Sequence, residues 1–476
     1  MAVATSVLST RWKEFWTLVT CLDFDDKLML QGRKSNRAAL QTSFVGFIYR
    51  VLDRVSCLDK FRLKCCQSYD VSHVNAWVAA FIKYHVKELD LSVPLEHSTD
   101  HVLPQDLFSC GTLVVLKLGT KFILNVPASV CLPSLKILHL DSVELSDEDS
   151  IKRLLLGCPV LDELSMIKCV GKDVRVIHIS APLLTKLTYR SKGKESYFWR
   201  SIFLGIPADS DYKIVIDTPA LLHLELFDYE AEVSLVKNLS HIVKADINIH
   251  SKAMTDLLLG ISEVQYLHLK YNCPEAVHRI VTQMPTLHNL TSLVLGAGYV
   301  GSEWLSQLLV KSPCLESLVF KEGYHIEHNS DEEESDEDDD DEEEGDNKPL
   351  LWHLPRNIPS CLLLNLKIIK FEKFHGNDGD WKMVEYFLKN AEVLEKMMVQ
   401  SDGTYGTYSD VAEDGLEMAT KLLMLPRASR TCQIEFVFLR KDPEDDSYDL
   451  DDDRNDPDDD SNDPDDHSND SDDDCW

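Results

Sequence analysis

A recurring L-x-x-L-x-L pattern restricts the fold of this chain more than any other sequence feature. Eight clear copies begin at Leu113, Leu135, Leu161, Leu184, Leu221, Val264, Leu290 and Leu315. Three weaker copies begin at Leu58, Val86 and Ile242. Consecutive copies are about 26 residues apart on average, within the range of roughly 20–29 residues that is typical of leucine-rich repeats.

Each copy predicts a short strand. The final L-x-L alternates with period two, as a strand with one buried face requires, and the first leucine would cover the turn before it. Two segments between copies have helical periodicity, and Ser146 could cap the first of them. The residues that would share one helical face are Ile151, Leu154 and Leu155 in the first segment, and Trp304, Leu305, Leu308 and Leu309 in the second.

We therefore predict an α/β fold: a leucine-rich-repeat solenoid, in which a curved parallel sheet carries outer helices. One strand-plus-helix unit is too small to bury its own apolar stripe, so neighbouring units must stack. The alternative is an ordinary leucine-rich α/β core, which eleven copies at near-constant spacing disfavour. The asparagine or cysteine that usually follows the strand is mostly absent, so the solenoid should be irregular.

The negative charge of the chain is concentrated in two tracts. The formal net charge is −33, yet residues 331–347 alone hold 14 acidic residues, and residues 441–476 hold 19 acidic residues against two basic ones. Segments of this composition cannot bury apolar surface, so we predict a disordered acidic loop and a disordered acidic tail. The remainder is nearly neutral, which argues against binding to a nucleic acid or to an anionic membrane.

The location of the protein is expected to be cytoplasmic, nuclear or both. The first residues lack the apolar core of a signal peptide, and no stretch reaches the roughly 20 apolar residues that a membrane-spanning helix needs. Thirteen cysteines occur without a C-x-x-C motif. This usage predicts reduced thiols that are mostly buried.

The N-terminal sequence S-V-L-S-x-R-W-K-x-x-W, followed by L-D-F-D-D, resembles the second half of the F-box in plant F-box/leucine-rich-repeat proteins. The resemblance covers residues 2–26. In that family a Leu-Pro motif and an amphipathic helix precede this segment, and the present sequence begins after them, so the resemblance implies a partial F-box with a helical remnant. By the resemblance, the residues that contact a Skp-type adaptor are Val7, Leu8, Trp12 and Trp16. On residue chemistry alone, the same helical face would cap the first repeat.

A second resemblance lies near the C-terminus. The segments P-S-C-L-L from Pro359, W-K-M-V-E-Y-F-L-K-N from Trp381 and L-P-R-A-S from Leu425 are similar to the FBD domain that follows leucine-rich repeats in the same plant family. The periodicity predicts two further strands that flank a helix, as one more solenoid-like unit. Their apolar residues are Leu366, Ile369 and Phe371; Trp381, Val384, Phe387, Leu388 and Ala391; and Leu394, Met397 and Val399. We expect this unit to cap the solenoid.

The domain organisation follows from these signals. We predict a partial F-box at 1–26, a leucine-rich-repeat solenoid at 27–328, a disordered acidic loop at 329–348, an FBD domain at 349–438 and a disordered acidic tail at 439–476.

Motifs of known catalytic or cofactor sites are missing from the sequence. Nucleotide-binding glycine loops, the G-x-S-x-G elbow and the H-E-x-x-H zinc motif do not occur. Glu327 lies between His325 and His328, but a solvated loop is a better interpretation than a metal site because no scaffold fixes the ligands. We therefore expect no enzyme activity, no cofactor and no metal.

Partner contact is expected on the concave face of the sheet. Residues that alternate with the strand leucines should point away from the core, and several of them carry polar groups. We place seven residues in one register on this face: Lys117, His139, Ser165, His223, Glu225, His268 and Val319.

Three functions are compatible with this reading. The resemblance implies a non-catalytic substrate receptor of a Skp–cullin–F-box ubiquitin ligase, whose solenoid binds an unidentified target protein. Alternatively, the acidic tracts resemble those of acidic leucine-rich-repeat proteins that bind basic partners such as histones. In the third hypothesis the fold is kept, but the partial F-box does not enter a ligase.

Overall fold

Parallel strands stacked side by side form the centre of the structure, which is a computed structural model. It describes residues 19–27, 37–94, 102–119, 122–169, 171, 174–191, 212–228, 231–236, 239–249, 251–270, 284–296, 302–321, 357–401 and 411–439. Outside these ranges lie the predicted adaptor-contacting residues, the predicted acidic loop, His325, Glu327, His328, and the predicted acidic tail apart from Leu439.

The described residues form twenty strands. They are β1 (Cys21–Asp25), β2 (Lys60–Lys64), β3 (Glu88–Ser92), β4 (Val115–Gly119), β5 (Ile123–Leu124), β6 (Ile137–Asp141), β7 (Glu144–Leu145), β8 (Glu163–Ile167), β9 (Val176–Ser180), β10 (Lys186–Arg190), β11 (Lys213–Asp217), β12 (His223–Asp228), β13 (Glu232–Leu235), β14 (Lys244–Ile249), β15 (Tyr266–Leu269), β16 (Ser292–Leu295), β17 (Ser317–Phe320), β18 (Ile368–Phe371), β19 (Lys396–Ser401) and β20 (Gln433–Phe438).

Eight α-helices and a short 3-10 helix (Gln105–Ser109) lie in the same ranges. The α-helices are α1 (Arg37–Leu52), α2 (Val71–Lys83), α3 (Ser150–Leu156), α4 (Ser251–Gly260), α5 (Ser302–Val310), α6 (Ser360–Leu364), α7 (Asp378–Asn390) and α8 (Val411–Met424).

Fifteen of the described strands pair in chain order into one sheet. Its order is β1-β2-β3-β4-β6-β8-β10-β12-β14-β15-β16-β17-β18-β19-β20. Every neighbouring pair is parallel. The sheet confirms the predicted leucine-rich-repeat architecture.

The pattern leucines form the core. All three positions of every one of the eleven copies are at most 2% exposed. Because each strand contributes the same two inward positions, neighbouring strands stack like on like: Leu138 pairs with Leu164, and Leu140 with Met166. Burying one such side chain is worth about 1.5–3 kcal/mol, so the stacked leucines are the main stabilising element of the sheet.

Part of the outer layer departs from the prediction of helices. The segments after β8, β10 and β12 return as strands β9, β11 and β13, which pair in parallel as a separate three-stranded sheet. Their sequences, V-I-H-I-S, K-I-V-I-D and E-V-S-L, are rich in β-branched residues, which favours strands over helices. A two-stranded sheet of β5 and β7 adds to this layer.

The helices that do occur bury the predicted faces. The buried residues are Trp304, Leu305, Leu308 and Leu309 on α5, and Ile151, Leu154 and Leu155 on α3.

The prediction that Ser146 caps α3 is wrong. The helix begins at Ser150 after Asp149, and the Ser146 hydroxyl lies 2.9 Å from that of Ser150. The capping role fails because three non-helical residues separate Ser146 from the first helical residue, Ser150.

The C-terminal unit continues the same sheet. β17 pairs with β18, and β18 with β19, in the register of the repeats. Helix α7 lies between β18 and β19 in the sequence and buries the predicted apolar face. It is capped by Asn377, whose side chain accepts a hydrogen bond from the Asp380 amide. The L-P-R-A-S segment closes the unit, since the buried Ser429 hydroxyl donates to the Leu394 carbonyl at 2.6 Å.

The first strand belongs to the sheet as well. β1 carries the L-D-F-D sequence, and its Phe24 packs beside Phe61 of β2, with ring centroids 5.6 Å apart. Asp26, the first residue after β1, is 2% exposed and accepts hydrogen bonds from the amides of Cys66 and Gln67 and from the Tyr69 hydroxyl, at 2.8, 3.1 and 3.2 Å. This carboxylate ties the chain after β1 to the chain after β2.

Candidate functional site: the open face of the sheet

Residues that alternate with the core leucines project from the other side of the sheet. We call this side the open face, and it corresponds to the predicted concave face. Strand pairing aligns the central residues of all fifteen strands in one row. In order, the row is Asp23, Arg62, Asp90, Lys117, His139, Ser165, Thr188, Glu225, Asp246, His268, Val294, Val319, Lys370, Met398 and Glu435.

Six of the seven predicted contact residues lie in this row. His223 does not: it precedes Leu224, pairs with Lys186 and Lys244, and therefore lies in the adjacent row on the same face. The single register predicted for all seven is corrected at that position, since His223 is two residues before Glu225 on β12. Their role in binding stays a prediction.

The N-terminal part of the open face is a ladder of ion pairs. Arg62 lies between Asp23 and Asp90, with N–O distances of 3.3 and 3.6 Å, and Lys60 contacts Glu88 at 2.7 Å. Alternating charges on adjacent strands satisfy one another. Each such exposed pair contributes only about 0.2–1 kcal/mol, so the ladder fixes the charge pattern of the surface more than it stabilises the fold.

The central part combines a histidine with a shared carboxylate. Glu163 Oε1 lies 3.0 Å from His139 Nε2 and 3.0 Å from Lys186 Nζ. Burial opposes ionisation of Glu163, but hydrogen bonds from Lys186 and His139 outweigh burial and hold the pKa of this carboxyl below its usual value. Further along, Arg190 pairs with Glu225, and its guanidinium lies 4.6 Å from the Phe227 ring centroid.

Replacing Glu163 by glutamine should lower the free energy of unfolding at pH 7 by less than about 1 kcal/mol, because the pair is partly exposed. The folded-state pKa is depressed, so the stabilisation is present above the unfolded-state value of about 4.3 and is lost as the pH falls through the folded-state value. Urea unfolding between pH 7 and pH 3 should therefore show the two proteins converging on acidification. Glu144→Gln serves as the control, and a difference that widens towards low pH would contradict the assignment.

Val294, Val319 and Ile368 interrupt the charged pattern near the C-terminal end of the face. Ile368 is 41% exposed, although it is a large apolar residue. Serines at the first positions of β16 and β17 lie beside the valines. Only Val319 was among the predicted contact residues. The S-L-V-L sequence of β16, with valine between the core positions, was the signal that could have identified Val294, and the isoleucine before Ile369 in the I-I-K-F sequence of β18 could have identified Ile368.

Histidine, serine and acidic side chains, which occur in catalytic and metal-binding sites, lie on this face. Ser165 follows His139 in the row, but no hydrogen bond joins them among the described contacts, so the nucleophile–base pair of a hydrolase is not formed there. Within the described residues, no three His, Cys, Asp or Glu side chains come together as a metal site. In that part of the chain, no helix has the length and apolarity needed to span a membrane.

The cysteines in the described part of the chain are free thiols. They number eleven, and six of these are buried. Burial raises the pKa of Cys158, Cys169 and Cys361 to about 12, so these thiols stay protonated at neutral pH and are poor nucleophiles.

Two family profiles match the chain. The profile described as "FBD-associated F-box protein At5g56370, LRR repeats" matches residues 74–229, and the FBD profile matches residues 353–399. The first covers β3 to β12 of the sheet, and the second covers β18, α7 and the first part of β19.

Whole-length relatives come from Arabidopsis thaliana. The F-box/LRR-repeat protein At2g42730 is 30% identical over 466 residues, which cover 93% of this chain and 94% of that protein. The FBD-associated F-box protein At4g10400 is 29% identical, with coverage of 92% and 94%. The F-box/FBD/LRR-repeat protein At4g26340 is 28% identical, with coverage of 91% and 94%.

Proposed function

This chain is a protein-interaction module of the plant F-box/FBD/leucine-rich-repeat family, and from that premise we propose that it is the target-recognition subunit of a Skp–cullin–F-box ubiquitin ligase. The open face of the sheet binds the target protein, and the N-terminal segment contacts the adaptor. The ligase partners supply the ubiquitin-transfer chemistry.

The continuity of the open face carries the proposal. Fifteen strands at about 4.8 Å spacing give a length of about 67 Å, and about 13 Å of each strand faces outward. The resulting area of roughly 900 Å² is close to the ~800 Å² that one partner contributes to a stable protein interface. The sheet therefore offers enough surface to hold a folded target or an extended segment of one.

The adaptor contact is assigned to the N-terminal segment by the F-box resemblance. Aromatic anchors usually dominate the binding energy of an interface, and two of the predicted contact residues are tryptophans. The four residues assigned to this contact are Val7, Leu8, Trp12 and Trp16, which precede β1.

Combined replacement of Trp12 and Trp16 by alanine should weaken retention of a purified Skp-type adaptor on the immobilised full chain at least tenfold, because both anchors are lost. The matched control is Trp199→Ala, which removes a tryptophan far from the F-box segment in the sequence. Retention of adaptor should be measured by biolayer interferometry. If the unmodified chain retains no adaptor, or if the double variant retains it equally well, the ligase role is refuted.

A further inference from the structure

The open face changes character between β14 and β18. From Asp23 to Asp246, each residue of the central row is charged, a histidine or a hydroxyl residue. The row continues with His268 on β15, and the strands β16 and β17 then carry Val294 and Val319 in the same row, each preceded on its strand by a serine. We call the two valines, together with Tyr266 and Ile368 of the adjacent row, the apolar floor. Val294 is only 5% exposed, so the other three side chains form its accessible part.

Two lysines border the floor on the β14 and β15 side. Lys244 Nζ lies 4.8 Å from the centroid of the Tyr266 ring. Lys270 follows β15 on the same face, and its Cβ and Cγ lie 3.3 Å from where a Cβ of Gly296 would be. The stem of Lys270 therefore packs against Gly296, directly after β16, and a larger residue at that position would displace it.

Two more lysines border the floor on the β17 and β18 side. Lys321 and Lys370 share one carboxylate, Glu372, at 2.9 and 2.8 Å. On the opposite side, the Asp246 carboxylate contacts His268 Nδ1 at 2.9 Å. The four lysines are thus accompanied by only two carboxylates, Asp246 and Glu372, and Asp246 already contacts His268. Positive charge is therefore in excess around the floor.

We propose that the apolar floor and its four lysines bind an extended segment of the target protein that has apolar side chains at its centre and carboxylates at both ends. The proposal rests on the target-recognition function proposed above. From β14 to β18 the face measures about 19 Å, which accommodates about six extended residues. Apolar side chains would contact Tyr266, Val319 and Ile368, while the terminal carboxylates would meet the lysines at either end.

The chemistry of the surface selects against other segments. A basic segment would meet four ammonium groups, and a wholly polar one would leave the exposed Ile368 side chain uncovered. An acidic segment without apolar residues would be attracted only by exposed charges, which salt screens over about 8–10 Å. Apolar contact should thus supply most of the affinity, and the lysines should supply orientation and salt dependence.

The test uses the full chain and a fluorescein-labelled peptide, Glu-Glu-Leu-Ser-Leu-Ser-Leu-Glu-Glu, followed by fluorescence anisotropy. Two comparison peptides replace either the glutamates by lysines or the leucines by serines. The first peptide should bind at least tenfold more tightly than either comparison peptide. Its affinity should fall several-fold between about 50 and 500 mM salt, because the lysine contacts are screened.

Matched variants locate the site. Ile368→Glu should weaken binding at least tenfold, whereas Ile137→Glu should change it less than twofold, since Ile137 has the same position on the distant strand β6. Lys370→Glu should weaken binding several-fold and reduce its salt dependence, and Lys152→Glu, at an exposed lysine on helix α3, is its control. Thermal unfolding of each variant shows that the fold is kept.

Several outcomes would overturn the proposal: no binding of the acidic peptide to the unmodified chain, equal binding by the Ile368→Glu and Ile137→Glu variants, or preference for the lysine peptide. The last result would favour capture of basic partners. Adaptor retention is measured separately, so a failure of the peptide site is distinguishable from a failure of the ligase role.

Discussion

Replacing Leu184 by alanine should lower the free energy of unfolding by about 2–5 kcal/mol. Leu184 is the first leucine of its repeat copy and is 0% exposed. The substitution therefore removes three buried carbons and leaves a cavity in the core. The loss of stability should also extend to the adjacent repeats, because each repeat is stabilised mainly by its two neighbours. Urea unfolding monitored by circular dichroism measures the change.

Leu183→Ala is the matched control for this experiment. Leu183 is the adjacent leucine, lies in the same turn before β10, and is 55% exposed. Its replacement should change the free energy of unfolding by no more than about 0.5 kcal/mol. Equal effects at the two positions would mean that the repeat pattern does not define the buried side of the chain.

Replacing Asp26 by alanine should cost about 3 kcal/mol or more at the N-terminal end of the sheet. The substitution leaves two backbone amides and the Tyr69 hydroxyl without their acceptor in a buried site, and each such loss costs about 1–3 kcal/mol. Because the sheet is built from neighbour contacts, the damage should concentrate in β1 and β2. Hydrogen exchange with mass spectrometry should show faster exchange there than in β10 to β15.

Asp23→Ala provides the comparison for Asp26. Asp23 lies three residues earlier on β1, with 61% of its side chain exposed, and pairs with Arg62 at the surface. Its replacement should cost less than about 1 kcal/mol and leave exchange in β2 unchanged. Unaltered exchange in β1 and β2 of the Asp26→Ala protein would show that this carboxylate does not anchor the first strand.

The period-two pattern made the sheet predictable. Two inward residues at a fixed position in each copy define both the strand and its register, because a slip of one residue would turn every leucine to the outer side. The same argument extended to Ile369, Phe371, Met397 and Val399, which continue the sheet after the repeats.

Other parts of the fold had no comparable signal. β1 has one buried apolar residue, Phe24, so its resemblance to an F-box segment concealed its place in the sheet. The strands β9, β11 and β13 lie in the stretches between copies, where only β-branched composition distinguished them from helices. Their pairing depends on the stacking of the main sheet, which sets β9 beside β11 and β11 beside β13.

The open face was predictable as a surface and only partly as a site. Alternation with the leucines identifies which residues point outward, but ion pairs such as Arg62 with Asp90 depend on which strands are neighbours. Aligning the copies one beneath another would have revealed both this ladder and the valines that interrupt it. The predicted contacts of Trp12 and Trp16 remain predictions.

The most direct test of the account is the junction between the last repeat strand and the C-terminal unit. Val319 of β17 and Lys370 of β18 are paired in register, although 50 residues separate them in the sequence, so cysteines at both positions should be about 5 Å apart and form a disulfide under mild oxidation. A Val319→Cys, Glu372→Cys pair, offset by two residues to about 8 Å, should not. Peptide mapping by mass spectrometry reads the result. Efficient cross-linking of the in-register pair alone is the outcome that one continuous parallel sheet predicts; equal cross-linking of both pairs, or of neither, would contradict it.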